Sequence, residues 1–127
     1  MEQKAHAKWT GDLRSGNGTV RLGSGLLETP YTFKTRFEGA PGTNPEELIA
    51  AAHAACLSMA LSAGLERAGT PAEKVSTRAS ATLEKVGDAF RITKMRLEVR
   101  GKVPGVTATA FKEAAEKAKD GCPVSNA

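Results

Sequence analysis

One long helix in the middle of the chain constrains the fold more than any other feature of the sequence. The segment Asn44–Glu47 (NPEE) supplies an N-cap asparagine, a proline at the first helical position and a glutamate at the third. The helix is predicted to continue to about Ala68, where Gly69 and Pro71 end it. Its length of about 23 residues corresponds to roughly 35 Å. Seven of its residues are alanines, and such small side chains let other elements approach the helix closely. We therefore expect a central helix with neighbours packed on several sides.

Alternating side chains before this helix predict three antiparallel strands. The predicted strands are Ala5–Leu13, Thr19–Gly23 and Pro30–Phe37, and glycine-rich turns separate them. In the third strand, Arg36 alternates with the aromatic residues and is expected to point away from their face. The N-terminal third is therefore predicted to be a small antiparallel meander.

Two more strands are predicted after the long helix. Apolar side chains alternate from Val75 to Leu83, and a Gly-Asp turn follows at positions 87 and 88. The next strand begins with an apolar alternation that includes Ile92 and resumes in the opposite phase at Met95. Because a strand with period two cannot change phase without an extra residue, this step predicts a β-bulge.

A second helix is predicted from about Thr107 to Lys119. Its apolar residues recur at helical spacing and are expected to be buried: Ala110, Phe111, Ala114, Ala115 and Ala118. Gly121 is expected to cap this helix, and the segment Cys122–Ser125 to begin another helical turn. The order βββ-α-ββ-α indicates an α+β fold.

The length and composition exclude several classes of protein. The 127 residues fit a single domain, residues 1–127, and 40% hydrophobic with 25% charged residues is typical of soluble globular chains. The net charge of +4 is spread along the chain without a basic, aromatic-rich cluster, so nucleic-acid binding is not predicted. The first residues (MEQKAHAK) lack the apolar run of a signal peptide, and Leu48–Gly64 contains polar residues. We therefore expect a cytoplasmic protein with no membrane span.

The two cysteines, Cys56 and Cys122, form no metal-binding motif, so neither a metal nor another cofactor is predicted. Cys56 lies in the long helix among mostly apolar neighbours, which favours a buried and unreactive thiol. A reactive thiolate there would need a cation, and neutral His53 one turn away would do less than an arginine from another segment. Cys122 is either at an N-cap position, where N–H groups favour a thiolate, or a surface thiol in a loop.

Four segments with recognisable motifs occur in a fixed order along the chain. They are Thr35–Gly39, Gly42–Ile49, Ala51–Cys56 and Gly121–Ser125, and Trp9-x-Gly-Asp precedes them. This set resembles the OsmC/Ohr family of bacterial thiol-dependent peroxidases, and the motif AAHAAC resembles that of the OsmC branch. The resemblance implies an OsmC-like fold over essentially the whole chain. It also implies a final strand after the second cysteine, which the sequence up to Ala127 does not contain.

The resemblance further implies a role for four residues. Cys56 would be the peroxidatic cysteine, which reduces an organic hydroperoxide to an alcohol and becomes a sulfenic acid. Cys122 would be the resolving cysteine, which forms a disulfide with Cys56 that an external dithiol then reduces. Arg36 would activate the Cys56 thiolate, and Glu46 would orient Arg36. Without the resemblance, Glu46 is an ordinary acid that complements the helix dipole.

The spacing within the long helix predicts an oligomer. Glu46 and Cys56 are ten positions apart, which is about 15 Å along one helix and roughly 80° around it. They cannot easily serve one site within a single straight helix, whereas two antiparallel copies crossing at their alanine-rich middles could bring them together. We therefore predict a twofold homodimer with two interface sites, as in the intertwined dimers of this family. The alternatives are a non-catalytic module that binds a small molecule or acyl group, and a structural dimerising domain.

Overall fold

Five strands and three helices give the mixed α+β architecture that the sequence predicts, in a computed structural model that describes residues 1–127. The elements are β1 (Ala5–Thr10), β2 (Asn17–Leu22), β3 (Glu28–Tyr31), α1 (Phe33–Phe37), α2 (Pro45–Arg67), β4 (Lys74–Val86), β5 (Ala89–Lys102) and α3 (Ala108–Gly121). The chain divides into two compact units, Met1–Leu48 and Ile49–Ala127, hereafter the N-terminal and C-terminal units.

The N-terminal unit contains the predicted meander, an antiparallel sheet in the order β1-β2-β3. Trp9 of β1 and Tyr31 of β3 pair with opposite sides of Gly18 in β2, and their ring centroids are 5.5 Å apart. A side chain at Gly18 would overlap both rings, since its Cβ would lie 2.6 Å from Trp9 and 2.7 Å from Tyr31. The absent side chain therefore allows the two aromatic rings to pack over the middle strand.

The prediction of a strand over Pro30–Phe37 is wrong beyond Tyr31, because residues 33–37 form the short helix α1. Its N-cap is Thr32, whose hydroxyl accepts a 3.2 Å hydrogen bond from the N–H of Thr35. The Thr35 hydroxyl in turn accepts a 2.9 Å bond from the N–H of Thr32, which completes a capping box. Arg36 therefore lies on a helix, and its guanidinium carbon is 5.2 Å from the centroid of the Phe37 ring.

The long helix α2 begins and ends as predicted. The Asn44 side chain accepts a 2.8 Å hydrogen bond from the N–H of Glu47, and Gly69 adopts a φ of +84° just after the helix. The expectation of packing on several sides is not met within one chain, because Ile49 is 41% and Met59 75% exposed. By length and composition α2 could also cross a membrane, a property that it shares with the core helices of globular proteins.

The C-terminal unit pairs β4 with β5 in a long antiparallel hairpin that contains the predicted bulge. Thr82 pairs with Lys94, whereas the next residue, Leu83, pairs with Ile92. Thr93 is therefore the extra residue, which confirms the predicted change of phase between Ile92 and Met95. Because of the bulge, β5 can pair with β4 along its whole length although its apolar alternation changes phase.

Helix α3 begins after the N-cap Thr107, whose hydroxyl accepts a 3.1 Å hydrogen bond from the N–H of Ala110. Two details of its prediction are wrong: Ala110 is exposed, and Gly121 is the last helical residue rather than a left-handed cap. The segment after the helix is a turn in which Asn126 donates its N–H to the Cys122 carbonyl at 3.2 Å. The buried core of this unit consists of Leu57, Leu61, Leu65, Ala118 and Cys122.

Candidate functional site

In the N-terminal unit, Arg36 of α1 forms a two-pronged ion pair with Glu46 in the first turn of α2. The Arg36 Nη2 atom lies 2.7 Å from Glu46 Oε1, and Nε lies 3.2 Å from each carboxylate oxygen. The Glu46 side chain is 10% exposed and that of Arg36 is 36% exposed. The buried carboxylate therefore fixes the orientation of a guanidinium that still reaches solvent.

Local capping interactions hold this pair in place. Asn44, the N-cap of α2, donates its side-chain N–H to the Thr35 carbonyl at 3.2 Å, and Thr35 also belongs to the capping box of α1. The two helix starts are thus linked through residues directly beside the ion pair. This linkage determines which way Arg36 points, because a five-residue helix has little stability of its own.

A cavity of about 400 Å³ opens beside Arg36 within the N-terminal unit. Its walls are largely aromatic and apolar: Trp9, Leu13, Tyr31, Phe33 and Phe37. Arg36 also lines this cavity, so a single charged group borders an apolar space. Such a combination suits a ligand with a hydrocarbon body and one polar, charge-accepting end.

In the C-terminal unit, the structure brings the two cysteines into contact. The sulfur of Cys56 on α2 lies 3.0 Å from the sulfur of Cys122, the C-cap residue after α3, and both thiols are free. Cys122 is fully buried, whereas Cys56 is partly exposed at the edge of the core. A bond between the sulfurs needs them to approach to about 2.05 Å. The pair can therefore form a disulfide after a displacement of about 1 Å.

The surroundings of the two thiols move their pKa values in opposite directions. The hydrogen bond shared with Cys122 raises the pKa of Cys56, and burial adds to that effect against a backbone N–H from Val124. Burial raises the pKa of Cys122. The hydrogen bond that it shares with Cys56, the Ser125 hydroxyl and the N–H groups of the turn outweigh burial and lower that pKa. Cys122 is the C-cap of α3 rather than the N-cap of a further helix, but N–H groups of the following turn donate to its sulfur as they would at an N-cap. The alternative of a surface thiol in a loop is wrong, because Cys122 is fully buried.

No lysine or arginine of the chain is among the groups that shift either thiol pKa. From the sequence, we expect Cys56 to be reactive only if a cation lies near that thiol. Within the C-terminal unit, the groups that surround the thiols include no such cation. The structure joins Arg36 to Glu46 and Cys56 to Cys122. It does so in two separate pairs, one in each unit.

Sequence reasoning missed a polar contact beside the thiols. Buried His53 lies on α2 three residues before Cys56, and Ser125 lies three residues after Cys122. The His53 Nε2 atom is 2.7 Å from the Ser125 hydroxyl oxygen. The matching three-residue offsets from the two cysteines were the only signal in the sequence, and they become informative only once the cysteines are known to be neighbours. The chain holds no group of three or more His, Cys, Asp or Glu side chains arranged to bind a metal.

Comparison with known proteins identifies the family of the chain. Residues 37–127 match the family described as OsmC-like protein. The chain belongs to this family. It is 52% identical over 126 residues to peroxiredoxin OsmC of Escherichia coli K12, an alignment that covers 98% of this chain and 88% of the relative. It is also 36% identical over 91 residues to an organic hydroperoxide resistance protein of Xanthomonas axonopodis pv. citri, covering 70% of this chain and 61% of that protein.

Solved structures of OsmC-like proteins share the fold. The crystal structure of an organic hydroperoxide resistance protein from Elizabethkingia anophelis superposes with a TM-score of 0.74 at 28% identity, over 99% of this chain and 88% of that one. The predicted resemblance to the OsmC/Ohr family and the predicted α+β class are therefore confirmed. The names of the relatives support a peroxidase function.

Proposed function

We propose that this OsmC-like protein is a cysteine-based peroxidase that reduces organic hydroperoxides to alcohols. The observation that carries the proposal is the 3.0 Å contact between Cys56 and Cys122, because it allows one thiol to be oxidised and the other to close a disulfide. The Cys56 thiolate attacks the hydroperoxide, forming an S–O bond while the O–O bond breaks, and the departing alkoxide takes a proton to become the alcohol. Cys122 then attacks the sulfenic sulfur, which yields the disulfide and water.

Access decides which cysteine reacts first. Cys122 is fully buried and has the lowered pKa, whereas Cys56 is partly exposed and has the raised pKa. Because Cys122 is closed off from solvent and Cys56 is the partly exposed residue, we assign the first step to Cys56. Its thiolate must then be stabilised by a group beyond its immediate surroundings in one chain, and Arg36 is the cation that the family resemblance assigns to this task.

We propose that Arg36 acts on Cys56 of the partner in a twofold dimer. Ten residues of helix, or about 15 Å of helical rise, separate Glu46 from Cys56 within one chain. The exposed face of α2 that includes Ile49 and Met59 supports a further packing partner. A guanidinium about 4 Å from the thiolate would stabilise it by about 4 kcal/mol at the effective dielectric of a protein surface. It would also stabilise the charge that develops on the peroxide oxygen.

The cavity beside Arg36 supports the choice of substrate. Aromatic walls favour the hydrocarbon part of an organic hydroperoxide over hydrogen peroxide, which has none. The catalytic cycle also requires an external dithiol to reduce the Cys56–Cys122 disulfide. We further propose that residues 1–127 function as one cytoplasmic OsmC-like domain, since free thiols and a cycling disulfide suit a reducing compartment.

Thiol counting tests the proposed cysteine roles. Reduced protein is mixed with cumene hydroperoxide, and free thiols and remaining peroxide are measured for the wild type, Cys56→Ser and Cys122→Ser. We expect the wild type to lose two thiols, Cys56→Ser to consume no peroxide, and Cys122→Ser to accumulate a sulfenic or overoxidised Cys56. Undiminished peroxide consumption by Cys56→Ser would contradict the assignment. A wild type that consumes none would favour the non-catalytic binding module.

Subunit mixing tests whether Arg36 acts across the interface. Arg36→Gln keeps Cys56, and Cys56→Ser keeps Arg36, so neither homodimer contains a complete site. A hybrid dimer contains one complete site if Arg36 acts on the partner, and random exchange then restores about a quarter of the wild-type activity. If mixing under conditions that exchange subunits restores nothing, Arg36 acts within its own chain.

A further inference from the structure

His53 is a buried polar residue that the proposed peroxidase cycle does not use. It is 8% exposed, and Glu46 is the only other polar or charged residue buried to this degree. Its Nε2 atom lies 2.7 Å from the Ser125 hydroxyl, a contact between residues 72 positions apart. Burying an imidazole carries a desolvation cost, so its partner and its surroundings indicate what it does.

Ser125 connects this imidazole to the thiol pair. It lies three residues after Cys122 in the same turn, and its hydroxyl is among the groups that lower the pKa of Cys122. The Cys122 sulfur in turn lies 3.0 Å from the sulfur of Cys56. The order His53–Ser125–Cys122–Cys56 therefore rests on a 2.7 Å contact at one end, a 3.0 Å contact at the other, and a shared turn between them. A hydroxyl can donate to one neighbour while it accepts from the other, so Ser125 can pass a proton in either direction by reversing both bonds.

Among the polar residues around His53, Ser125 is the one that forms a hydrogen bond with it. A cavity of about 380 Å³ beside it is lined on the β5 side by the apolar residues Met95, Leu97 and Val99. Helix α3 contributes the charged residues of the cavity wall: Lys112, Glu116 and Lys119. None of these three forms a hydrogen bond or ion pair with His53, whereas Ser125 does. The cavity also gives the imidazole a route for exchanging its proton with water.

We propose that His53 is a positioning residue that receives, through Ser125, the proton of Cys122 when Cys122 attacks the Cys56 sulfenic acid. This proposal rests on the proposed peroxidase function and concerns only its second step. The Cys122 thiol gives its proton to Ser125 as Ser125 gives its own to His53 Nε2. The new S–S bond forms as the S–O bond of Cys56 breaks, and the departing hydroxide becomes water with the proton that His53 releases through solvent.

The test compares the two steps of the cycle in single turnover. The rate of Cys56 oxidation is measured as loss of hydroperoxide, and disulfide formation is measured by quenching with an alkylating agent. Dimedone, which traps sulfenic acids, reports how long the Cys56 sulfenic acid survives. The variants are His53→Gln, Ser125→Ala, Ser125→Thr and the double variant His53→Gln/Ser125→Ala.

We expect disulfide formation, relative to Cys56 oxidation, to slow by about tenfold in His53→Gln and in Ser125→Ala, the size of effect that a lost hydrogen bond to a charged group produces. Dimedone labelling should rise in both. Because the two residues act in series, the double variant should be no slower than the worse single variant. Ser125→Thr keeps the hydroxyl and should restore the rate, which a purely steric role of Ser125 would not predict.

An unchanged ratio of the two rates in His53→Gln and Ser125→Ala would overturn the relay while leaving the peroxidase function intact. A wild-type protein whose cysteines form no disulfide with hydroperoxide would instead overturn the proposed function itself. If His53→Gln fails to fold, Ser125→Ala decides the question, because Ser125 lies in a partly exposed turn and its substitution leaves the core unchanged.

Discussion

Replacing Glu46 by glutamine removes the negative charge that orients the Arg36 guanidinium. Glu46 accepts three hydrogen bonds from Arg36 at 2.7–3.2 Å, and its side chain is 10% exposed. Glutamine keeps the shape of the side chain and one accepting oxygen. It also turns an NH₂ group toward the cation, so at least one of the three bonds is lost and the others lose their charge.

The size of the effect follows from the exposure of the two side chains. Hydrogen bonds to charged groups contribute about 1.5–3 kcal/mol, and breaking a fully buried ion pair costs about 3–5 kcal/mol. The larger range does not apply, because the Arg36 side chain is 36% exposed and water can solvate the unpaired guanidinium. We therefore expect Glu46→Gln to lower the free energy of unfolding by about 1–2 kcal/mol.

Urea unfolding measures this difference, at one fixed protein concentration because the stability of the proposed dimer would depend on concentration. The matched control is Glu47→Gln, which removes the same charge from the same helical turn at an exposed position. The control loses only the interaction with the helix dipole, about 0.3–1 kcal/mol. Equal destabilisation of the two variants would refute the reasoning, because the ion pair would then contribute nothing beyond the dipole interaction.

The same pair of variants separates stability from catalysis. If Glu46 orients Arg36 for its task, Glu46→Gln should slow the oxidation of Cys56 by about tenfold, corresponding to about 1.4 kcal/mol of transition-state stabilisation. Glu47→Gln should leave this rate within a factor of about two, since its side chain is exposed and makes no contact with Arg36. Stopped-flow measurement of hydroperoxide loss gives both rates.

Two further predictions follow from the thiol turn and the helix packing. The Ser125 hydroxyl is one of the groups that lower the pKa of Cys122, so Ser125→Ala should raise that pKa. Ultraviolet titration in a Cys56→Ser background, where Cys122 is the only thiol, measures the shift, and a shift to lower pH would contradict this. Gly101→Ala should destabilise the protein by about 1–3 kcal/mol, since its Cβ would overlap the Phe111 ring, whereas Gly121→Ala places its Cβ in open space and should be neutral or stabilising in thermal unfolding.

The elements that the sequence predicts correctly are those with local signals. The N-cap Asn44 and the terminating Gly69 act within a few residues of the helix ends, so α2 could be placed almost to the residue. The bulge at Thr93 is encoded by a change of phase in a single strand. Helix α1 was missed because its aromatic residues alternate as in a strand, and the capping pair Thr32 and Thr35 carries the only helical signal.

The candidate site was only partly predictable, because most of its contacts join distant parts of the chain. The resemblance names Arg36, Glu46, Cys56 and Cys122, and the structure joins them as two pairs. The contact between His53 and Ser125 spans 72 positions and depends on how α2 and the turn after α3 pack. No periodicity or motif in one segment encodes such a contact.

The proposed action of Arg36 on the Cys56 of a partner chain would have a protective consequence. Arg36 is fixed by Glu46 in the N-terminal unit, and Cys56 has a raised pKa in the C-terminal unit, where no cation acts on it. If Arg36 reaches Cys56 only from the partner, a chain that has not yet dimerised keeps Cys56 protonated, and a thiol reacts with peroxide far more slowly than a thiolate. Dimerisation would then produce the reactive Cys56 thiolate in a chain whose Cys122 is in place to form the disulfide. Chains that have not dimerised would be spared irreversible oxidation of Cys56.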